Sequence, residues 1–260
     1  MSTYLDLCQL LAREADYPNP LEITSVPAGT QLDGDQRDII LWVRDAWTAI
    51  QNRNGGFWKW LHRPFTLQTV SAQGVYAYTE ADDITGNTQP IGVPISTPQG
   101  VPAAPGKIDR FSAWDLRDIV NPPSIYLTAS GVSAERQLVF MPYDLFQRQF
   151  EFGPQNDASP VYISVDEQDN IVLGPAPNDI YTVRGRYWRG PQILVEGNDM
   201  PEMPVQFHDV VAYDALRRFA YKNAAPEALG NAAEQSKRYM RSLEAKQYSE
   251  FRFAAPMGSG

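Results

Sequence analysis

The spacing of apolar residues changes along the chain. Near the N-terminus it is helical, with apolar positions three and four apart. Through the middle it alternates or breaks into short runs bounded by Pro, Gly and Asn. Beyond about Phe207 the helical spacing returns. Tyr4, Leu7, Cys8, Leu11 and Ala15 fall on one helical face. Thr3 and Asp6 have the spacing of a capping box, with Asp in place of the usual Glu. Pro18 and Pro20 are expected to end that helix. The stretch "DGDQRDIILWVRDAWTAIQNRNGG" predicts a second helix. Its acidic first turn complements the positive end of the helix dipole. Ile39, Ile40, Val43, Ala46, Trp47 and Ile50 form its buried stripe, and Asn54, Gly55 and Gly56 stop it. Trp42 lies off the stripe, which points to a second contact surface.

The middle predicts strands. "FTLQTVSAQGVYAYT" reads as two short strands around Ala72-Gln73-Gly74. Residues 84–106, rich in Pro, Gly and Thr, read as an extended arm, a protruding hairpin or a surface loop. "IDRFSAWDLRD" and "SIYLTASG" read as strands or edges. "YDLFQRQFEFG" after Pro142 reads as a short helix closed by Gly153. "VYISVDEQDNIVLGPAP" reads as a hairpin of alternating strands, with Glu167 to Asn170 as turn residues.

Phe207, Val211, Ala215 and Phe219 then recur every four residues, flanked by Val210, Leu216 and Ala220. Leu229, Ala232, Ala233, Ser236, Met240 and Leu243 trace a further stripe that ends near Gln247. The expected fold class is α+β. N- and C-terminal helices form one helical bundle (1–62 and 201–247), with a β-rich insertion (63–200) between them and a C-terminal extension (248–260). No internal repeat is visible.

The stretch "VLGPAPNDIYTVRGRYWRG" carries three arginines on a predicted strand. Tyr181, Val183, Gly185 and Tyr187 share one face, suited to a core. Ile180, Thr182, Arg184, Arg186 and Trp188 share the other. That second face has three readings: a solvated face of a half-buried strand, a contact with acids on a neighbouring subunit, or a platform for nucleic-acid bases.

Charge narrows the choice. With 22 Lys+Arg against 31 Asp+Glu the formal charge is −9, the opposite of the balance that neutralises phosphates. A 43% hydrophobic content is enough for a substantial core. Cys8 is the lone cysteine, so no internal disulfide and no Cys/His zinc set is expected. The opening residues lack the basic and cleavable apolar regions of a signal peptide, and no run approaches the ~18 apolar residues of a membrane span. These features lead to the expectation of a soluble cytosolic product.

Catalytic motifs are missing: no phosphate-binding loop, no dinucleotide fingerprint and no nucleophile elbow. His62 and His208 have no local partner, and structural roles are expected for both. Glu80, Asp82 and Asp83 form an acidic cluster without the spacing of a calcium loop, so a solvated turn is expected there. Glu167 and Asp169 suit a turn, and Cys8 suits packing. No cofactor is expected.

Taken in order, "TYLDLCQLLAREA", "ILWVRDAWTAIQNRNGGFWKWL", "FTLQTVSAQGVY", "MPYDLFQRQFEFG", "PVYISVDEQDNIVLGPAPNDIYTVRGRYWRGPQIL" and "MPVQFHDVVAYDALRRFA" resemble the adaptor (head-to-tail connector) proteins of tailed bacteriophages. The resemblance runs from about Thr3 to about Leu243. It leaves out residues 84–106 and the tail from Tyr248. It implies a structural protein of the virion head–tail junction, made in the host cytoplasm and without enzymatic activity. It implies a ring, commonly of twelve copies, beneath the portal protein. Such a ring extends the DNA channel, docks a downstream tail component and lets DNA pass without specific binding. Other connector components, a stopper or a tail terminator, are the alternative, and a tail-associated cell-wall hydrolase a more distant one. On this reading Trp42, Arg184, Arg186 and Trp188 are candidates for the subunit interface. Tyr248, Phe251, Arg252 and Phe253 are candidates for portal contact.

Overall fold

A computed structural model describes residues 2–17, 34–84, 106–118, 120–152, 156–223 and 226–247. The predicted arm, save Ile84 and Gly106, and the four portal-contact candidates fall outside these residues, as do Pro18, Pro20 and Gly153. In chain order the elements begin with helices α1 (Tyr4–Glu14) and α2 (Gly34–Asn52), then strands β1 (His62–Gln68), β2 (Val75–Tyr76), β3 (Asp82–Asp83), β4 (Phe111–Asp115) and β5 (Ser124–Leu127). Strands β6 (Arg136–Gln137) and β7 (Val139–Phe140), helix α3 (Tyr143–Phe150) and strands β8 (Tyr162–Val165), β9 (Ile171–Gly174) and β10 (Tyr181–Arg189) follow. Helices α4 (Asp209–Lys222) and α5 (Pro226–Gln247) close the order. The protein is therefore α+β.

Two compact units emerge. One comprises Met1–Arg53, Trp58–Trp60 and Ile193–Gly260; the other comprises Asn54–Phe57 and Leu61–Gln192. In the first, α1 packs on α2 and α4, α2 packs on α4, and α4 packs on α5. The capping box forms as the spacing predicts: Thr3 accepts from Asp6 N at 3.2 Å, and the Asp6 carboxylate accepts from Thr3 N at 2.8 Å. The buried stripe of α1 takes Ala12 instead of Ala15, because the helix stops at Glu14 and Ala15 is its cap. All six predicted stripe residues of α2 are buried. In α5 the side chains of Ala232, Ser236, Met240 and Leu243 are buried, whereas Ala233 points to solvent.

Polar locks hold this unit. Tyr4 donates its hydroxyl to Ile40 O at 2.6 Å, and burial raises its pKa above the ordinary 10.0. Asp199, fully buried, accepts from Val195 N and Glu196 N, and its own carbonyl accepts from Tyr4 N at 2.7 Å. Trp58 donates to Ile50 O and Gln51 O, and stacks on Trp60 at 4.5 Å.

The second unit holds two sheets. The six-stranded sheet runs β3-β1-β10-β5-β6, and β4 pairs the remaining length of β10 beside β5. The four-stranded sheet runs β2-β9-β8-β7. β1 and β2 thus enter different sheets; the turn between them, with Ala72 at φ 65°, redirects the chain instead of closing a hairpin. The predicted β8–β9 hairpin forms, pairing Val165 with Ile171 and Tyr162 with Gly174. Its strands do not alternate as expected: all of β9 is buried, because neighbours cover both of its faces. Phe65, Leu67, Ile125, Val183 and Tyr187 from one sheet meet Tyr76, Ile163, Ile171 and Leu173 from the other in a single core. Gly185 lies opposite Phe65, and a Cβ there would come within 2.8 Å of that ring, so the close approach requires glycine.

Candidate subunit interface

The strand with three arginines is β10, the most extensively paired strand of its sheet. It pairs β1 from His62↔Trp188 to Gln68↔Thr182 on one side, and β5 and β4 in succession on the other. Because side chains alternate, one face of β10 belongs to the core and the other leaves it. Tyr181, Val183 and Tyr187 are buried on the first face, as predicted. Tyr187 donates to Asp83 at 2.9 Å; burial raises its pKa above 10.0, and the negative charge of Asp83 adds to the effect.

The other face is polar and aromatic. Thr182 shares a 2.9 Å hydrogen bond with Thr128. Arg184 lies 3.7 Å from Glu135, with both side chains partly open to solvent. Glu135 also accepts from Ser124 at 2.5 Å. Arg186 stands opposite Asp115 on β4 and Pro64 on β1. Burial would raise the pKa of Asp118, but hydrogen bonds from Val120 and Asn121 and the positive charge of Arg186 outweigh it and hold the carboxyl below its ordinary 3.8. Trp188 stacks on His62 at 4.3 Å and meets Phe57 edge-on at 5.1 Å. His62 Nε2 lies 2.9 Å from Asp115 Oδ2. Arg184, Arg186 and Trp188 therefore share one sheet face.

Trp42 is placed elsewhere, in the helical unit. It meets Phe219 edge-on at 5.9 Å, and the Lys222 ammonium sits 5.3 Å from its ring centre. With Ile39, Tyr17 and Ala15 these residues line a crevice of about 270 Å³. The off-stripe tryptophan thus has a partner helix in its own unit.

The acidic candidates are engaged within the chain. Lys107 lies 2.7 Å from Asp82 and donates to Glu80 O at 2.8 Å. The Glu80 carboxylate accepts from Ala77 N and from Gln73, and Asp83 accepts from Tyr187. Among the described residues no group of three or more His, Cys, Asp and Glu could hold a metal ion. Buried His208 lies between two backbone carbonyls, with Nδ1 3.1 Å from Ser2 O and Nε2 3.1 Å from Met203 O. Cys8 is fully buried, and burial pushes its thiol well above the ordinary range. In the hairpin turn Glu167 and Asp169 are flanked by Asp166. Its carboxylate accepts from Gln168 N and Asn170 N and from the Asn170 side chain, all at 2.8 Å.

Sequence reasoning missed a buried ion pair of this unit. Arg189 donates to both carboxylate oxygens of Asp109, at 2.9 and 2.8 Å, with both side chains buried. The partners lie 80 residues apart, so no local spacing signals the pair. The one available cue is that Arg189 has the parity of the core face.

The model of the SU10 adaptor protein family matches residues 2–259. The chain belongs to that family. SU10 adaptors are bacteriophage structural proteins and not an enzyme family, so membership implies a virion component that meets other head or tail proteins. No curated protein matches the chain. Within the described residues of this adaptor, no helix is long and apolar enough to cross a membrane.

Proposed function

We propose that this adaptor is a mechanical part of the head-to-tail junction. Copies form a ring beneath the portal, twelve in the expected case, that prolongs the DNA channel and presents a seat for the next tail component. The helices of both chain ends serve as the bundle that frames the ring, and the β-rich insertion supplies contacts between copies. The arginine and aromatic face of β10 is one side of that contact. Residues 248–260, with Tyr248, Phe251, Arg252 and Phe253, reach the portal. The passage carries DNA without gripping it, in keeping with the net negative charge.

The family match across nearly the whole chain carries the reading. The outward sheet face supports it: arginines and a tryptophan grouped with counter-charges at the periphery are the composition of an interface. The decisive experiment mixes the purified protein with the portal protein and images the complex. Added ring density below the portal is expected; none would refute the proposal. Deletion of 248–260 is expected to leave the fold intact and to weaken portal attachment, and unchanged attachment would remove that segment from the portal contact.

A further inference from the structure

The outward face of β10 holds a guanidinium that its own chain leaves unpaired. Arg186 is partly buried, yet among the described residues its side chain is in no ion pair and no hydrogen bond. Asp115, opposite it on β4, is taken by His62 Nε2 at 2.9 Å. Asp118 feels the charge of Arg186, but its carboxylate accepts from Val120 N and from the Asn121 side chain. Arg184, two residues back and about 7 Å away along the strand, meets only Glu135, at 3.7 Å, and Glu135 also accepts from Ser124. A guanidinium carries five N–H donors in a planar fork and can hold a carboxylate through two of them. The two arginines therefore offer two carboxylate seats, bordered by Trp188 and exposed Phe57.

The same unit contains matching carboxylates. Several of its acids are engaged inside it: Asp82 meets Lys107, Asp83 accepts from Tyr187, and Asp109 holds Arg189. Glu167 and Asp169, in the β8–β9 turn, differ. Both are exposed, and among the described residues neither carboxylate is in an ion pair or a hydrogen bond. They stand two residues apart, as the arginines do. The turn that carries them is fixed. The Asp166 carboxylate accepts three hydrogen bonds across it at 2.8 Å, and the Trp114 indole donates to Asp169 O at 2.8 Å. Position decides whose arginines these acids can meet. Trp114 stands opposite Tyr187 and packs against the core, so it holds the turn on the inward side of the six-stranded sheet. Arg184 and Arg186 leave from the outward side. Within one chain the sheet itself keeps the two charges apart. A second copy brings them together with no rearrangement of either, and surfaces already held in place lose little freedom on binding.

We infer that the β8–β9 turn of one copy sets Glu167 and Asp169 on Arg184 and Arg186 of the next. The inference rests on the ring reading and supplies the second half of a contact whose first half is the β10 face. The two halves are different surfaces, so the contact is head-to-tail and is satisfied in every copy only when the ring closes.

The test exchanges charges between full-length chains. A face variant carries Arg184→Glu and Arg186→Gln. A turn variant carries Glu167→Lys and Asp169→Asn, asparagine suiting the left-handed φ of 62° at that position. Urea unfolding establishes that each is folded; Arg184→Gln and Glu167→Gln replace any that is not, with an approximately threefold loss of assembly expected of each. Native mass spectrometry follows assembly, alone and with the portal protein. Each variant by itself is expected to assemble about tenfold more weakly than the parent, or worse. Mixed one to one, the two should recover to within about threefold of the parent, in oligomers that hold both chains in equal number. In that mixture altered turn meets altered face, and unaltered turn meets unaltered face. Variants that assemble as the parent does, or a mixture no better than the separate chains, would overturn this contact and leave the ring standing. Variants that keep their oligomers and lose the portal would overturn it too, by giving the face to the portal. A parent that forms no oligomer in either condition would remove the ring reading, and the contact with it.

Discussion

The two faces of the six-stranded sheet are built from the same strands and differ in what their residues achieve. On the inward face Phe65, Leu67, Val183 and Tyr187 are at most 1% exposed and belong to a core shared with the second sheet. On the outward face Arg184, Trp188 and His62 contact partners that are themselves partly open to solvent, and Arg186 is itself only partly buried. Burial makes the first face the source of folding free energy. The second is less buried and contributes less to folding. Arg189, at the end of β10, shows that the distinction follows position and not residue type. It is an arginine of the core side, 4% exposed and held by Asp109.

The largest effect follows from that pair. Asp109→Ala leaves the guanidinium of Arg189 buried without its carboxylate, which typically costs about 3–5 kcal/mol. Urea denaturation should show this loss. Asp109→Leu combined with Arg189→Met should recover only part of it, because buried Arg110, 3.9 Å from the same carboxylate, loses that counter-charge and its N–H loses its acceptor. The matching change on the outer face, Glu135→Ala, is expected to stay within about 0.5 kcal/mol, since Arg184 keeps its water. Equal losses at Asp109 and Glu135 would erase the contrast between the faces.

A smaller effect sharpens the inner face. Tyr187 is buried with its hydroxyl on Asp83, and its folded pKa lies above the 10.0 of an exposed phenol. The folded state then keeps a proton that the unfolded chain releases. Stability from this group is complete below pH 10 and declines as pH rises beyond it, by up to ~1.4 kcal/mol per unit for one such phenol. Tyr4, also raised, acts in the same direction. Tyr187→Phe is expected to cost about 1 kcal/mol at neutral pH through the lost hydrogen bond and to flatten the alkaline decline. Unfolding midpoints measured from pH 8 to pH 11 test both parts; an unchanged alkaline slope would show that Tyr187 ionises freely in the fold.

The periodic elements were legible in the sequence and the long-range partners were not. The α2 stripe, the α1 capping box and the inward residues of β10 follow from local spacing, and local spacing is what side-chain geometry along a helix or strand dictates. Sheet membership is not local. β1 and β2 read as two short strands around Ala72-Gln73-Gly74, yet each is claimed by a strand about a hundred residues later, β10 for one and β9 for the other. The alternation expected of β9 failed for the same reason: covering elements on both faces bury every residue. Of the interface candidates, Arg184, Arg186 and Trp188 came together because they lie on one strand. Trp42 lies off the α2 stripe, and the helix that covers it, α4, begins more than 150 residues later, beyond the reach of local spacing.

The smallest folding effect is the most informative about the outer face. Arg184 and Glu135 are 43% and 31% exposed and 3.7 Å apart, the geometry of a surface pair worth well under 1 kcal/mol once solvent screening is counted. Arg184→Glu exchanges a weak attraction for a weak repulsion, so its unfolding midpoint should stay within about 1 kcal/mol of the parent. Association is another matter. If a neighbouring copy sets acids against this face, the reversal creates like charges in a contact that excludes water, where they cost more than at a free surface. Native mass spectrometry should then show assembly weakened tenfold or more in a chain that is as stable as its parent, with Arg184→Lys intermediate because it keeps the charge and loses the two-pronged geometry. Assembly and stability falling together would instead assign the outer face to folding, and the two sides of the sheet would no longer differ in kind.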